Sequence, residues 1–130
     1  MKLRIRGNSL RLRLQQQEVK RILENGFVIE KTSFGSRTFS YSFEAHDSVD
    51  KMQAQFDSEG IRVIVPKSQV RAWAQSEELS LCGEQPAEDS VLKILIEKDL
   101  MCIKPRTSPL WEDESDAYPN PNTSCGGNHG

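Results

Sequence analysis

At 130 residues, with 36% hydrophobic and 28% charged side chains and a net charge of −2, the chain has the size and composition of one soluble globular domain. Its apolar runs are only a few residues long, which excludes a membrane-spanning helix, and the start MKLRIRG lacks the apolar stretch of a secretory signal. Three cysteines without a CxxC spacing favour reduced thiols over a disulfide framework, which predicts a cytoplasmic protein.

The first 45 residues predict the order strand, strand, helix, strand, strand. Charged and aliphatic residues alternate in KLRIR and in LRLRL, which is typical of half-buried strands, and Gly7-Asn8-Ser9 predicts the turn between them. QQQEVKRILENG has the spacing of a helix that ends at Asn25-Gly26. The strands FVIEKTSF and TFSYSFEA follow, and Phe39, Tyr41 and Phe43 share one face of the second.

The same order returns between residues 50 and 100. Alternating residues up to Phe56 and from Ile61 to Val65 predict two strands, joined by a turn at residues 57–60. Pro66 predicts the start of the helix KSQVRAWAQS, in which Trp73 falls on the apolar side. LSLCG and VLKILIEKD predict two more strands, separated by the polar loop EQPAEDS.

The two halves align without a gap through their helices. Leu10 then matches Ile61, Val19 matches Val70 and Ile22 matches Trp73, which predicts an internal duplication of one unit over residues 1–46 and 50–100. We therefore predict a β-rich α+β domain that covers residues 1–104. Residues 105–130 are acidic and rich in Pro and Gly, and this composition predicts a partly disordered tail.

The net charge conceals an asymmetry between the two parts of the chain. Residues 1–45 carry nine Lys/Arg and four Glu, hence +5, and residues 46–130 carry eight Lys/Arg and fifteen Asp/Glu, hence −7. Five cations are predicted on one face of the first hairpin: Lys2, Arg4, Arg6, Arg11 and Arg13. Arginine suits paired contacts with phosphate or guanine, and a two-stranded ribbon fits the major groove. A solvated polar face gives the same pattern, so spacing alone leaves both interpretations open.

The pattern Arg-x-x-Gly-Asn-Ser-x-x-Leu-Arg-Leu, which leads into the first helix, resembles the opening of swapped-hairpin DNA-binding domains of the MazE and AbrB type. Its residues here are Arg4, Gly7, Asn8, Ser9, Leu12, Arg13 and Leu14. The segment RVIVPKSQV of the second unit is similar to the strand-Pro-helix step of AbrB-type domains. The resemblance implies a barrel or sandwich of interlaced hairpins, formed as a pseudo-dimer within one chain or as a homodimer.

The resemblance also implies where DNA is bound. Arg4 and Arg13 stand where MazE-like domains have basic residues that contact DNA, and Asn8 lies in the matching turn. With the other arginines of the hairpin, the predicted nucleic-acid-binding residues are Arg4, Arg6, Asn8, Arg11 and Arg13. The second unit has Ile64 at the position of Arg13, so only the first unit carries the basic hairpin.

A second resemblance spans most of the chain. The opening GNSLRLRL, a segment with Glu97, Lys98, Asp99 and Cys102, and the ending DAYPNPN are similar to a group of small uncharacterised bacterial proteins. This resemblance implies no activity.

An acidic segment with an aromatic residue lies in the tail, and it has three interpretations. Its residues are Trp111, Glu112, Asp113, Glu114 and Asp116. Acidic tails of MazE-type antitoxins hold a toxin, so the resemblance implies a protein partner. The segment could instead dock on the basic hairpin of its own chain, or serve only to keep the chain in solution.

No catalytic or metal motif is found in the sequence. Zinc-type ligand spacing, a Ser-His-Asp order, a phosphate loop and a dinucleotide fingerprint are all absent, so we expect no cofactor and no metal. Cys82 and Cys102 are predicted as small buried residues, and His46 as an exposed residue at a strand end. The sequence thus favours a non-catalytic binding module, either a DNA-binding regulator or antitoxin-like protein, or a protein-interaction domain without DNA binding.

Overall fold

The computed structural model describes residues 1–100, and its helices and strands all lie in the compact unit Met1–Asp99. The strands are β1 (Lys2–Arg6), β2 (Ser9–Leu14), β3 (Phe27–Ser33), β4 (Thr38–His46), β5 (Gln53–Phe56), β6 (Gly60–Pro66), β7 (Ser80–Pro86) and β8 (Val91–Lys98), and the helices are α1 (Gln16–Asn25) and α2 (Lys67–Ala74). The fold is therefore β-rich α+β, and each half has the predicted order strand, strand, helix, strand, strand.

Helix α1 begins and ends where its sequence predicts. Gln15 precedes it, and the backbone N–H of Gln15 donates to Glu18 Oε1 at 2.9 Å, which is one half of a capping box. Glu18 also accepts a hydrogen bond from the amino group of Met1. Gly26 ends the helix with a φ of 84° and donates its N–H to the carbonyl of Ile22, as a left-handed C-cap does.

The second half departs from the prediction in its last hairpin. Helix α2 follows Pro66 directly, as expected from proline at a helix start. Strand β7, however, continues through Glu84 and Gln85 to Pro86, residues predicted in a loop. The turn is short, with a hydrogen bond from the Ala87 N–H to the Ser90 carbonyl. The alternating burial of β7 explains the difference, since a half-buried strand tolerates polar residues on its outer face.

The strands form two four-stranded sheets, and each sheet contains one hairpin from each half of the chain. Sheet A has the order β1-β2-β8-β7, and sheet B has the order β3-β4-β6-β5. The hairpins are antiparallel, whereas the two halves meet in the parallel pairs β2–β8 and β4–β6. One chain thus supplies every strand of both sheets.

The pairing registers of the two sheets follow one pattern. Lys2 pairs with Arg13 in β1–β2, and residues 51 positions later in the chain, Gln53 and Ile64, pair in β5–β6. After the helices the offset is 53, because Phe27–Glu44 in β3–β4 corresponds to Ser80–Glu97 in β7–β8. These equivalences allow the outer faces of the two sheets to be compared position by position.

Residues of both sheets and both helices form one hydrophobic cluster. It contains Leu10, Leu12, Leu14, Ile22, Val28, Phe43, Met52, Ile61, Val63, Val65, Val70, Trp73, Ile94 and Ile96. Trp73 is fully buried, as predicted, and packs edge-on against Phe43 with ring centroids 6.1 Å apart. Phe39 and Tyr41 pack at the margin of the cluster. The residues that alternate with the core strand positions therefore point outward.

Candidate nucleic-acid interface

Six cations share the outer side of sheet A, the side opposite the hydrophobic cluster. The register places Arg4 beside Arg11 and Lys2 beside Arg13 on the first hairpin, and it places Lys93 beside Ser9 from the other half of the chain. We call this surface the basic face, and its residues are Lys2, Arg4, Arg6, Arg11, Arg13 and Lys93. Two carboxylates, those of Glu84 and Glu97, lie on the same side of the sheet. The predicted grouping of the hairpin arginines on one face is confirmed by this register.

The arginines of the basic face differ in exposure. Arg6 is exposed and Arg4 is half-buried, whereas Arg11 is only 4% exposed although it lies on the outer side. Arg11 and Arg13 both contact Glu97 from β8: its Oε1 lies 3.3 Å from Arg11 Nε and 2.7 Å from Arg13 Nε. One carboxylate oxygen of Glu97 therefore lies against two guanidinium groups.

A second ion pair lies at the end of the basic face. Lys2 Nζ is 3.6 Å from Asp99 Oδ2, just beyond the end of β8. The backbone N–H of Asp99 donates to the carbonyl of Leu14, which continues the parallel pairing past the last strand residue. The Lys2 side chain is half exposed, so solvent screens this pair and its contribution to stability is small.

Asn8 has a different role from the arginines. Its side-chain amide donates to Ser90 Oγ at 3.0 Å and to the Val91 carbonyl at 2.7 Å, and its own carbonyl accepts from the Lys93 N–H. The turn of the first hairpin is thereby tied to the start of β8. Since Gly7, with a φ of 53°, takes the left-handed position in this turn, Asn8 acts by joining the two hairpins rather than by adopting that conformation.

Sheet B has a matching ion pair on its own outer side. Arg62, the equivalent of Arg11, donates from Nε and Nη2 to the two oxygens of Glu44, both at 2.8 Å. These hydrogen bonds lower the pKa of Glu44 from 4.5 to about 2. Partial burial of the carboxylate acts in the opposite direction and raises the pKa, while hydrogen bonds with Ser42 and His46 lower it further. One arginine meets one carboxylate here, and His46 Nε2 lies 2.9 Å from Oε1 of the same glutamate, whereas Glu97 contacts two arginines.

Sequence reasoning missed the partners that β8 supplies to the basic face. Alternation in VLKILIEK puts Lys93, Leu95 and Glu97 on one side of a strand. Their contact with the arginines depends on the parallel pairing of β2 with β8, strands that are separated by most of the chain. Cys82, predicted as buried, is instead exposed on the outer side of β7, because that strand is at the edge of sheet A.

The remaining functional predictions concern the acidic tail, metal binding and His46. The predicted partner-binding residues Trp111, Glu112, Asp113, Glu114 and Asp116 lie outside the described residues, as does Cys102. Within residues 1–100, no group of three or more His, Cys, Asp or Glu side chains is arranged to hold a metal ion. His46 lies at the end of β4 and is partly exposed.

A shallow cavity of about 140 Å³ lies between the two helices. Ile22, Leu23 and Val70 form its apolar wall, and Lys67 and Arg71 lie at its polar side. Small-molecule sites usually enclose roughly 300–1,000 Å³, so this cavity is small for a substrate. Among the described residues, no helix has the length and apolar character needed to cross a lipid bilayer.

Comparison with known proteins gives a family but no described activity. A family model matches residues 1–122, and its description is Family of unknown function (DUF7009). The match covers most of the chain, so the protein belongs to this family. No curated protein and no solved structure matches the chain. The predicted likeness to small uncharacterised proteins is confirmed at the level of the family, while the likeness to MazE and AbrB domains stays a prediction.

Proposed function

We propose that this member of the family is a non-catalytic binding domain that binds double-stranded DNA through the basic face of sheet A. The observation that carries the proposal is the grouping of six cations on one side of a single sheet, beside the three carboxylates of Glu84, Glu97 and Asp99. A local excess of positive charge attracts the phosphate backbone, and this attraction supplies most of non-specific DNA affinity. Arg6 is exposed and Arg4 is half-buried, and in this proposal both contact phosphate.

The internal comparison between the sheets supports this proposal. On the hairpin of β5 and β6, the positions of Lys2 and Arg4 are occupied by Gln53 and Gln55. The equivalent strand of sheet B therefore forms with two neutral polar side chains at these positions. The cations of β1 exceed what the hairpin needs to cover a solvated face, so we assign them to binding an anion.

We further propose that the two sheets form a swapped-hairpin domain of the AbrB and MazE type, closed within one chain. Each sheet joins a hairpin from one half to a hairpin from the other, and parallel pairs join the halves. This arrangement agrees with the interlaced hairpins that the resemblance implies. In such a pseudo-dimer only the first half carries the basic hairpin, so we expect one DNA-binding face per chain.

A protein partner is the second candidate, and the burial of two arginines favours it. The side chains of Arg11 and Arg13 are 5% and 13% exposed and are already engaged by Glu97. Arginines held in this way suit a close-packed protein interface, where Arg is often a major contributor to affinity. In that alternative the basic face or the acidic residues 111–116 bind another protein, and DNA is not bound.

The test is binding of the full chain to a random-sequence duplex at about 50 and 200 mM salt. With four phosphate contacts, affinity falls on the order of 100-fold over this range. The variant Lys2→Gln/Arg4→Gln gives β1 the neutral pattern of β5, and we expect it to lose most of the binding at 50 mM salt. The matched control Lys31→Gln/Lys51→Gln removes the same charge from exposed positions outside the basic face.

The outcomes separate the two candidates. Salt-dependent binding that is lost in the β1 variant and kept in the control supports DNA binding by the basic face. Equal losses in both variants mean that total charge alone decides the affinity. Absence of binding by the wild-type chain at 50 mM salt rejects the DNA proposal and leaves the protein-partner alternative.

A further inference from the structure

The cavity between α1 and α2 lies where the two halves of the chain differ in side-chain size. Its lining includes Ile22 of α1 and Ala45 of β4. The equivalent residues of the second half are Trp73, by the alignment of the helices, and Lys98, by the register of β4 and β8. The backbone supports the second equivalence, because the N–H groups of Ala45 and Lys98 each donate at 2.9 Å to the carbonyl of the residue that precedes the partner strand.

In the second half, the two larger side chains contact each other. The side chain of Trp73 is fully buried, and Lys98 Nζ lies 5.4 Å from the centroid of its ring. The same ammonium group donates to the carbonyl of Ser76 at 2.8 Å, just past the end of α2. Isoleucine and alanine are smaller than tryptophan and lysine, so the first half leaves space where the second half holds an aromatic ring. The framework of the repeat therefore accommodates a ring at this position.

We infer that the cavity is a binding site for a small molecule that carries one aromatic ring and one carboxylate. An apolar cavity of about 150 Å³ in another protein binds benzene, so the 140 Å³ of this cavity is enough for one ring. Ile22, Leu23 and Val70 provide the apolar wall for that ring. The site lies between the helices, away from the basic face, and it does not depend on DNA binding.

The polar side of the cavity favours a carboxylate on the ring. Lys67 and Arg71 are four residues apart on α2, and both line the cavity. Within residues 1–100, neither side chain forms an ion pair with a carboxylate. Glu24 is the acidic residue of the lining, so two cations face one carboxylate. An anionic ligand is therefore favoured over a cationic one, and a guanidinium beside an ammonium suits its two oxygens.

The first test is a titration of the full chain with sodium benzoate, followed by the backbone amide NMR signals of Gly26 and Val70 in the cavity lining. A ligand with so few atoms binds weakly, and we expect a Kd on the order of 1 mM. Benzyl alcohol keeps the ring without the charge and should bind about 10-fold more weakly, because the charge-assisted contacts are lost. If both signals stay in place up to about 20 mM benzoate, the site is rejected. Equal affinity for the two compounds would reject the carboxylate.

Charge variants of α2 identify the groups that hold the carboxylate. Lys67→Gln/Arg71→Gln should weaken benzoate binding on the order of 10-fold and change the binding of benzyl alcohol by less than about threefold. The matched control Lys20→Gln/Lys31→Gln removes the same charge from exposed positions that do not line the cavity, and we expect a loss of less than about threefold. Equal losses in the two double variants would mean that benzoate responds to total charge, which contradicts a built site.

Filling the cavity from either side tests its position. Ile22→Trp gives α1 the residue that the second half has, and benzoate binding should be lost. Because Ile22 is buried and its replacement could prevent folding, Ala45→Leu fills the cavity from a half-buried position on β4 and should have the same effect. The amide spectrum of each variant reports whether it is folded. Unchanged affinity for benzoate in a folded variant of either kind would place the ligand elsewhere and overturn the inference.

Discussion

The outer sides of the two sheets occupy equivalent positions in the repeat but carry different charge. Arg11 and Arg62 correspond, and each contacts a glutamate of the neighbouring parallel strand, Glu97 or Glu44. Around this shared pair the two surfaces diverge. Sheet A has the cations of β1 and Lys93, whereas sheet B has glutamines on β5 and the exposed apolar side chains of Phe27 and Ile29 on β3.

The difference distinguishes what the fold requires from what a function adds. The Arg–Glu pair occurs on both sheets because it spans the parallel strands that join the two halves, so we assign it to the framework. Lys2, Arg4, Arg6 and Arg13 have no charged equivalent of the same sign on sheet B. A position that differs between two copies of one framework is where a binding function can be placed without loss of the fold.

The largest expected effect comes from replacing Gly60 by serine, the residue at the equivalent position in the first half of the chain. Ser9 begins β2, and its equivalent Gly60 begins β6 with a φ of +149°, where a Cβ atom would lie 1.7 Å from the carbonyl oxygen of Ser40. We expect Gly60→Ser to lower the free energy of unfolding by about 3 kcal/mol or more, because the backbone must move. Urea unfolding followed by tryptophan fluorescence measures the loss.

The reciprocal change is the control for that comparison. Ser9→Gly removes the 2.6 Å hydrogen bond from Ser9 Oγ to the Arg6 carbonyl and adds backbone freedom to the unfolded chain. We expect a loss of about 1–2 kcal/mol. Equal effects of the two substitutions would show that the two strand starts are interchangeable, contrary to the close approach of Gly60 to Ser40.

Acid should weaken sheet B through the ion pair of Glu44. Hydrogen bonds from Arg62 lower the pKa of Glu44 from 4.5 to about 2, so its contribution to stability is complete above pH 4.5 and is lost as the pH falls to 2. Since Arg62 is 42% exposed, solvent screening reduces this contribution to about 1 kcal/mol. Unfolding free energies of wild type and Glu44→Gln, measured at pH 5 and pH 2, should differ less at pH 2. Parallel curves for the two proteins would contradict this prediction.

The tie between the hairpins of sheet A gives an effect of similar or smaller size. Asn8→Ala removes hydrogen bonds to Ser90 and Val91, and because both are exposed we expect a loss of about 1 kcal/mol. The equivalent residue of the other copy is Glu59, and Glu59→Ala should change the free energy of unfolding by less than about 0.5 kcal/mol. Amide exchange near Val91 should accelerate in the first variant and not in the second. Equal acceleration in both would show that the turn is held by its backbone alone.

The strand and helix pattern could be predicted from local sequence, and the reasons are visible in particular residues. Strict alternation in KLRIR and LRLRL, the Asn25-Gly26 stop and Pro66 before a helix each depend on near neighbours. The predicted end of β7 was wrong. Glu84, Gln85 and Pro86 are residue types common in loops, and the sequence alone does not show that they lie on an edge strand. Local composition reports polarity, while strand length also depends on the partner strand.

The composition of the candidate site could be predicted only in part. The hairpin arginines share a face because β1 and β2 are adjacent in sequence and joined by a short turn. Glu97 and Lys93 enter the same surface through the parallel pairing of β2 with β8, which no pattern within either strand specifies. The burial of Arg11 could not be predicted either, because alternation places it on the outer side of the sheet.

A small expected effect on stability provides the sharpest test of the comparison between the two sheets. Lys2→Gln/Arg4→Gln converts β1 to the pattern that β5 already has, with Gln53 and Gln55. The half-exposed pair of Lys2 with Asp99 contributes little, and glutamine keeps a polar side chain at both positions, so we expect the free energy of unfolding to change by about 1 kcal/mol or less. A small change in stability together with loss of DNA binding in the same variant would show that the charges of the hairpin serve binding and are not needed for folding. A loss of several kcal/mol would instead make the cations part of the framework, and the contrast with sheet B would no longer argue for a binding function.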